Sequence, residues 1–499
     1  MNEAHFVRGR RLAGLVGVAI LAGLALTAGR AAAVTTVNCN SPGGAAAFQA
    51  ALAGGGTVNV SGTCDGTFTA SANVTVNGSP TATLDAQSAG RPLTVSAGKT
   101  VVLNSLTITG GSVSGMGPSG AGGGISSFKA TLTLNNCLVT GNTASAGGGI
   151  ATGTPLSTPS GMLTLNSSMV TNNVAEDGGG GGILNHNGTA VIDNSTVSGN
   201  AAPGGGGIAS GNGNGGLGGG GTLTVTNSHV TGNTAFGGPE GGAGGIANGG
   251  SLTMTGSSVT GNQAVGGSGG GILNHGNAWI SSSSISNNSA PDDSLGDQGI
   301  GGGIFNGNFG VPGHGTVSIT GSQVNHNTAG LGGGIASGGF NDDASLTISS
   351  SAVSFNSVTG PMSGGGGILN VSGGGVANLS ISGSTMVGNL ARQGLGGAIA
   401  NVSQGADASV NVATTTIGST SPHAPYSLNP NQAAFGGGIF NWAQSGPADV
   451  TLGSGAVVVA NQASVDGGGV FNADGASLTV SGGLILFNHP DNVASDPGF

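Results

Sequence analysis

The chain has 499 residues, of which 109 are glycine, while only 5% are charged and 3% are aromatic. Glycine follows no Gly-x-y period, which excludes collagen, and a mean hydropathy of +0.19 with regularly spaced Leu, Ile and Val argues against disorder. A repeat protein whose small residues let neighbouring backbones stack closely fits this composition.

Residues 1–33 are predicted to be a cleaved signal peptide. Arg8, Arg10 and Arg11 form a basic region, "LAGLVGVAILAGLALTAG" is an apolar core, and residues 31–33 are alanines suited to cleavage. The alternative is a retained membrane anchor. The Arg10-Arg11 pair leaves the export route, general or twin-arginine, open. The prediction is a secreted, extracellular or cell-surface protein with no integral membrane segment after cleavage.

The mature chain is predicted to be strongly acidic. Removal of residues 1–33 leaves four cations, Arg91, Lys99, Lys129 and Arg392, against 17 carboxylates, which gives a net charge of −13. Phosphate backbones and anionic membranes need clustered Lys and Arg. Nucleic acid and an anionic membrane surface are therefore excluded as partners.

Three cysteines remain in the mature chain. Cys39 and Cys64 lie 25 positions apart near its start. Export to an oxidising compartment makes them a predicted disulfide that closes one end of the fold. Nothing in their spacing indicates zinc. Cys137 has no partner and is explained by the repeat.

A ten-residue register recurs without insertion before a series of asparagines. An apolar residue stands eight positions before each of them, a Ser or Cys137 five before, and Val, Ile or Met three before. The asparagines are Asn142, Asn173, Asn200, Asn233, Asn262, Asn288, Asn327, Asn356, Asn389 and Asn488, with a less regular copy at Asn461.

This register predicts a parallel β-helix. Alternating apolar residues such as Leu132 and Leu134 indicate short strands with one buried face, and a Gly-rich turn leads to a third short element that is predicted to end at the Ile of Gly-Gly-x-Ile. Three strands per unit of 25 to 40 residues predict about 12–13 stacked coils with an interior asparagine ladder. Cys137, at a serine position of the ladder coils, is predicted to be a buried, inert thiol.

Two other repeat folds fit less well. A propeller would need longer units of four strands, often with aromatic signatures, and the whole chain holds two Trp. A calcium-binding β-roll would need an Asp in each Gly-rich turn, and most of these turns lack it.

The chain resembles the pectin-lyase-like right-handed β-helix proteins, and within them bacterial surface proteins with polymorphic-outer-membrane-protein-type repeats. The motifs are "GGAI" at residues 396–399, elsewhere "GGGI", and a Phe-x-x-Asn slot filled by Val139-Thr-Gly-Asn142 and its copies. The segment from Ala46, "AAFQAALAGGGTVNVSGTC", resembles the cap of such folds. The resemblance implies residues 34–92 as cap and first coils, residues 93–499 as repeats with a terminal coil, and an exported surface or adhesive protein. No anchor sequence follows the repeats, so surface attachment stays open.

Catalytic chemistry has one sequence candidate. Asp292 and Asp293 precede "GHG" at His314 by about 20 residues, as in polygalacturonases, and paired carboxylates could act as acid and base. The other motifs of that family are missing, and these residues fall in variable loops. A lyase would need calcium-binding carboxylates and a basic residue on one coil face, and among the four cations Arg392 alone lies well inside the repeats. We therefore predict no catalytic residue, no cofactor and no metal ligand; His186, His229, His275 and His326 lack ligand spacing.

The outward position of the first strand of each unit is mostly threonine. It is occupied by Thr133, Thr164, Val191, Thr224, Thr253, Trp279, Ser318, Thr347, Ser380 and Thr479. A flat threonine column could bind ice or a crystalline glycan, and threonine is also simply a favourable exposed strand residue.

The predicted function is a monomeric interaction, adhesin-like or structural module, with a glycan or a surface protein as partner and without enzymatic activity. Two alternatives stay open, a polysaccharide-active glycosidase or lyase and an ice- or glycan-binding threonine face.

Overall fold

The computed structural model describes residues 34–79, 82–153, 161–211, 220–238, 242–293, 298–307, 314–419, 429–473 and 475–496. The predicted signal peptide lies outside these ranges. Within them, the chain forms four parallel β-sheets, one α-helix at Gly44–Gly54 and one 3-10 helix at Gly117–Gly120. Successive segments join the sheets in a fixed order, so the predicted all-β parallel β-helix is confirmed.

Sheet 1 contains the strand in which apolar residues alternate. Leu132 pairs with Leu163 and Leu134 with Leu165, and all four are fully buried. Like residues therefore stack in columns, as the register predicts. Its 16 strands are Val34–Asn38, Gly56–Ser61, Val74–Gly78, Thr100–Asn104, Thr131–Asn135, Met162–Asn166, Thr189–Asp193, Thr222–Thr226, Ser251–Thr255, Asn277–Ser281, Gly315–Thr320, Ala344–Ser349, Ala377–Ser382, Ala408–Ala413, Ala448–Leu452 and Ser477–Val480.

Sheet 2 contains the strands that follow the Gly-rich turns. Most begin with the Ile of Gly-Gly-x-Ile, which points into the core, whereas the prediction had this element end at the Ile. Its 15 strands are Phe68–Ala70, Leu93–Val95, Ile125–Phe128, Ile150–Gly153, Ile183–His186, Ile208–Gly211, Ile246–Asn248, Ile272–Asn274, Ile304–Gly307, Ile335–Gly339, Ile368–Ser372, Ile399–Ser403, Ile439–Ala443, Val470–Asn472 and Val493–Ala494.

Sheet 3 contains the short strand just before each ladder asparagine, with its central residue pointing inward. Its 15 strands are Thr63–Asp65, Thr83–Asp85, Thr107–Thr109, Leu138–Thr140, Met169–Thr171, Thr196–Ser198, His229–Thr231, Ser258–Thr260, Ser284–Ser286, Gln323–Asn325, Ala352–Ser354, Thr385–Val387, Thr416–Gly418, Val457–Val459 and Leu484–Leu486.

A fourth sheet corrects the expectation of three strands per coil. It begins one residue after the ladder asparagine, and in most coils its second residue is a buried alanine such as Ala144, a pattern not used in the prediction. Its 11 strands are Thr143–Ala144, Val174–Ala175, Ala201–Ala202, Thr234–Ala235, Gln263–Ala264, Ser289–Ala290, Thr328–Ala329, Ser357–Val358, Leu390–Leu395, Gln432–Phe435 and Gln462–Asp466.

The described stack has 15 strands in each of sheets 2 and 3, and so more coils than the 12–13 expected. The difference arises at the N-terminal end, because the coils before Asn142 have no ladder asparagine to mark them. Sixteen strands at a spacing of about 4.8 Å give sheet 1 a length of roughly 70 Å.

The asparagine side chains form a continuous buried ladder inside the corner between sheets 3 and 4. In each step an Nδ2 group donates to the Oδ1 atom of the next asparagine, at 2.9 Å from Asn142 to Asn173 and at 3.0 Å from Asn173 to Asn200. Asn431, which the register missed because its coil carries an insertion, joins Asn389 to Asn461. The serine column is built similarly: the Cys137 backbone N–H donates to Ser168 Oγ at 3.1 Å.

A second internal ladder lies where sheet 2 ends, and the sequence analysis did not identify it. Asn248 Nδ2 donates to Asn274 Oδ1 at 2.7 Å, and Asn274 Nδ2 donates to Asn306 Oδ1 at 3.0 Å. All three side chains are buried. The recurring "ILN", "IAN" and "IFN" after the Gly-rich turns are its sequence signal.

The outside of sheet 2 is also buried. The residue after each Ile points away from the main core, yet Leu273, Phe305 and Phe440 have exposures of 3% or less. They form a separate apolar cluster with the partly buried Ile300 and Leu331, which come from the segments that lead into sheet 2. Sheet 2 is therefore covered on both faces, whereas the outer face of sheet 1 carries half-buried and exposed polar residues.

The two ends of the stack differ. At the N-terminal end, Phe48 and Leu52 of the α-helix are fully buried, and Cys39 and Cys64 are joined in a disulfide with a Cα–Cα distance of 4.9 Å. At the other end, Val480 continues an inward column but is 47% exposed, whereas its partner Leu452 is fully buried. No described coil follows to cover it.

Candidate functional site

The structure places the predicted acids and histidine on different loops. Asp292 and Asp293 follow the sheet 4 strand Ser289–Ala290, and Asp292 Oδ1 accepts a hydrogen bond from the Gly299 N–H at 3.0 Å. His314 lies beyond the next sheet 2 strand, Ile304–Gly307, and directly before the sheet 1 strand Gly315–Thr320. The cavity that His314 lines contains neither acid among its described lining residues. This arrangement gives no support to an acid–base pair assisted by His314.

A cavity of about 480 Å³ opens where sheet 2 leads into sheet 1. Its described lining consists of two histidines, two polar strand residues and glycines: Gly220, Gly221, Gly249, Gly250, Ser251, His275, Gly276, Asn277 and His314. The connection between sheets is very short in the coils of Ser251 and Asn277, so the neighbouring backbones approach closely. A β-carbon on Gly276 would collide with the Gly250 carbonyl oxygen. Glycine at this position is therefore required by the stacking of the two coils.

His275 is the buried group of this cavity. Its side chain is 7% exposed, and its Nδ1 atom is buried without a hydrogen-bond partner. Burial lowers the pKa of His275 to about 4, because the charged imidazolium loses its hydration. At neutral pH the cavity therefore presents a neutral imidazole. The sequence showed only a histidine after "ILN", with no signal for this burial.

Acid is expected to destabilise the protein through His275. The unfolded imidazole has an ordinary pKa of 6.5, so between pH 6.5 and about 4 the unfolded chain binds more protons and stability falls as the pH is lowered. The full loss is roughly 3 kcal/mol. Urea unfolding of His275→Asn at pH 7 and pH 4.5 should show a smaller loss than the parent. His229→Asn, at an exposed position, is the control. An identical acid loss in His275→Asn and the parent would contradict the assignment.

The outer face of sheet 1, defined as the outward residues of its strands, carries three columns in register. The predicted threonine column runs along the middle, with Asn411 and Thr451 completing it between Ser380 and Thr479. One flanking column is Asn59, Asn77, Asn104, Asn135, Asn166, Asp193, Thr226, Thr255, Ser281, Thr320, Ser349 and Ser382. The other is Thr131, Met162, Thr189, Thr222, Ser251, Asn277, Thr316, Ser345, Asn378, Ser409, Asp449 and Ser477.

Hydrogen bonds along the columns order this face. In the first flanking column, Asn104 Nδ2 donates to Asn77 Oδ1 at 2.8 Å, and Asn135 Nδ2 donates to Asn104 Oδ1 at 2.7 Å. This external asparagine column was not predicted, although each member stands two residues after the outward middle position of its strand. Residues lie about 4.8 Å apart along a column, and columns lie about 6.6 Å apart. The result is an in-register grid, mainly of short hydroxyl and amide groups, which Met162, Val191 and Trp279 interrupt.

Trp279 places a large, exposed aromatic side chain on the outer face of sheet 1. It occupies the middle column between Thr253 and Ser318, and it is 48% exposed. Asn277, two residues earlier on the same strand, lines the His275 cavity. The cavity therefore opens next to the only tryptophan of this face in the described strands.

A second cavity, of about 540 Å³, lies between residues 115–121 and the coils of Asp177 and His186. It is next to Arg91, whose guanidinium donates to the carbonyl oxygens of Gly122 at 2.7 Å and Ala121 at 2.9 Å. Burial lowers the pKa of both Arg91 and His186. Arg91 thus holds the loop that contains Ala121 and Gly122. In these contacts its guanidinium N–H groups donate to backbone carbonyl oxygens and are not available to a substrate.

Cys137 is buried, and its Sγ atom contacts the carbonyl oxygens of Leu103 and Asn135 at 3.4 Å each. Desolvation raises the pKa of the thiol. A thiol with a raised pKa is a poor nucleophile. This environment suits a structural residue.

The described part of the chain holds neither a cluster of metal ligands nor a membrane-spanning helix. No group of three or more His, Cys, Asp or Glu side chains comes together there. Within the same ranges, no helix has both the length and the apolar character needed to cross a bilayer.

Comparisons with known proteins give no family and a distant structural match. No protein family matches the chain, and no curated protein matches it. Among solved structures, the chain is similar to the Dettilon tailspike protein (gp208), with 14% sequence identity and a TM-score of 0.27 over 70% of this chain and 66% of that one. A likeness at this level bears on neither activity nor partners, and the family resemblance from the repeat motifs stays a prediction.

Proposed function

We propose that this protein is an exported, monomeric interaction module that binds a neutral, regularly repeating polymer, with a glycan as the preferred partner, through the outer face of sheet 1. The observation that carries the proposal is the in-register grid of hydroxyl and amide groups on that face. Export, to the medium or to the cell surface, follows from the predicted signal peptide and from the resemblance to surface proteins with polymorphic-outer-membrane-protein-type repeats.

The chemistry of the grid favours an uncharged partner. Asp193 and Asp449 are the only charged residues in the three columns as far as the described strands run. The mature chain has a net charge of −13, which repels anionic polymers. Short polar side chains on a rigid sheet lose little conformational entropy on binding. A repeating ligand can then contact several equivalent coils at once, so weak contacts add up.

Binding without turnover is preferred over hydrolysis. The separation of Asp292 and Asp293 from His314 supports this choice, as does the lack of a basic residue in the described lining of the His275 cavity. Ice would bind to the same threonine column, so the test must distinguish ice from a glycan.

Sedimentation with insoluble cellulose, chitin and xylan tests the proposal. The parent should be retained by at least one of them, and Thr164→Lys should reduce retention about tenfold, because a long charged side chain interrupts the grid. Thr171→Lys is the matched control: it lies in the same coil and is half-buried like Thr164, but it faces outward from sheet 3. Equal retention of both variants would contradict the assigned face. Growth inhibition of ice crystals without glycan retention would identify ice instead.

A further inference from the structure

We propose that the cavity lined by His275 and His314, together with the exposed ring of Trp279, is a subsite for one pyranose ring of a neutral glycan. This inference rests on the proposed function and deepens it, because it assigns a single specific position on an otherwise repetitive face. It predicts that the protein also binds short soluble oligosaccharides, which the grid alone would hold only weakly.

The position of the groups is the first support. Asn277 and Trp279 alternate on one strand, with Ala278 buried between them, so both side chains leave the same face about 6.6 Å apart. Asn277 also lines the cavity, and His275 lies directly before it in the chain. Trp279 is not itself in the described lining, so the indole ring lies beside the cavity and Asn277 is the residue between them.

The chemistry of the lining is the second support. Backbone groups, the Ser251 hydroxyl, the Asn277 amide and two imidazoles offer both donors and acceptors, as the hydroxyls of a sugar require. The described lining contains no Lys, Arg, Asp or Glu. Burial lowers the pKa of His275, so this imidazole is neutral at pH 7 and offers no charge to a phosphate or a uronate.

Trp279 supplies the apolar contact that a sugar ring needs. Its neighbours in the middle column, Thr253 and Ser318, are much smaller, so nearly half of its side chain is open to solvent. An exposed tryptophan offers a large rigid surface with few rotatable bonds, and aromatic faces favour flat partners. The C–H face of a pyranose ring is such a partner. The cavity has a volume of about 480 Å³ and is broadly open to solvent, so it offers one side of a binding site rather than an enclosed pocket.

Gly220 allows the cavity to be filled without disturbing the coils. A β-carbon there would have no atom within 4 Å, and Gly220 is not held in a left-handed conformation. The change Gly220→Phe should therefore place a ring in the mouth of the cavity at little cost to folding. Gly54, at the end of the cap helix, is exposed and equally open. Gly54→Phe is thus a matched control for adding the same side chain far from the site.

The experiment is a titration of the full mature chain with neutral hexasaccharides of the cello, chito, xylo and malto series, with hexagalacturonate as the anionic comparison. The Trp442→Phe background leaves Trp279 as the only tryptophan, so its fluorescence reports binding directly. At least one neutral hexasaccharide should change the emission and give a dissociation constant by calorimetry. Trp279→Ala and Gly220→Phe should each weaken that affinity about tenfold or more, and Gly54→Phe should not. Thermal unfolding checks that all variants remain folded.

Each outcome decides between the two proposals. If the polymer is retained but Trp279→Ala and Gly220→Phe bind hexasaccharides as the parent does, or if no hexasaccharide binds, the subsite is wrong while the grid stands. If hexasaccharides bind through Trp279 but no polymer is retained, the grid is wrong while the subsite stands. Preference for hexagalacturonate would overturn the neutral-ligand assignment, and the absence of all binding would overturn both.

Discussion

Asn262→Leu is expected to lower the free energy of unfolding by roughly 3 kcal/mol or more. Asn262 Nδ2 donates to Asn288 Oδ1 at 2.9 Å and to the Val230 carbonyl at 3.0 Å, and Asn262 Oδ1 accepts from both the backbone N–H and the Nδ2 of Asn233. Leucine removes all four bonds in a site that is 1% exposed. Several neighbouring groups would then be buried without a partner. Urea and thermal unfolding measure the loss.

Asn135→Leu is the matched control for this loss. Asn135 also sits in an asparagine column, donating to Asn104 Oδ1 at 2.7 Å and accepting from Asn166 Nδ2 at 2.8 Å. It is only half-buried, on the outer face of sheet 1, so water can replace the lost bonds. We expect a change of about 1 kcal/mol or less there. Equal losses at the two positions would mean that burial of the ladder is not what stabilises the stack.

Gly270→Ala is expected to be at least as damaging, by roughly 3 kcal/mol or more. Gly270 is the second residue before the Ile of its coil. A β-carbon there would collide with the carbonyl oxygen of Gly302 in the next coil and lie 2.5 Å from the Ser289 carbonyl oxygen. Backbone atoms on both sides cannot rotate away as side chains do, so the coils would have to separate. The same glycine recurs in every Gly-Gly-x-Ile of the chain for this reason.

Gly271→Ala, one residue further along the chain, is the variant to compare with Gly270→Ala. A β-carbon on Gly271 would also lie 2.6 Å from a backbone oxygen, that of Gly303, but it would approach backbone on one side only. Ala398 occupies the equivalent position before Ile399 and is fully buried there, so this position can adjust to a methyl group. The expected loss at Gly271 is therefore smaller, about 1 kcal/mol. Melting temperatures of the two single variants are a sufficient measurement. A larger loss at Gly271 than at Gly270 would contradict the explanation from backbone contact.

The repeat motif determined the architecture from the sequence alone. The fixed register before each ladder asparagine predicts which residues stack, because pairing between coils places equivalent positions above one another. Leu132 over Leu163 and Val139 over Val170 follow directly from it. The same register explains Cys137 at a serine position. Where a coil departs from the motif there was no repeated pattern to align, so the prediction missed Asn431 and underestimated the number of coils before Asn142.

Other features were decided by the tertiary structure. The sequence contains His275, Asn277 and Trp279 within five residues. Only the stacking of coils shows that His275 and Asn277 line a cavity with His314, which lies 39 positions after His275. The same stacking leaves Trp279 exposed beside that cavity. His275 is buried although no local sequence pattern indicates it, and loop positions such as Asp292 and His314 follow no period. Periodic contacts are local in a solenoid and can be read from the repeat. Contacts made by its insertions depend on how far each loop reaches over its neighbours, which only the folded chain determines.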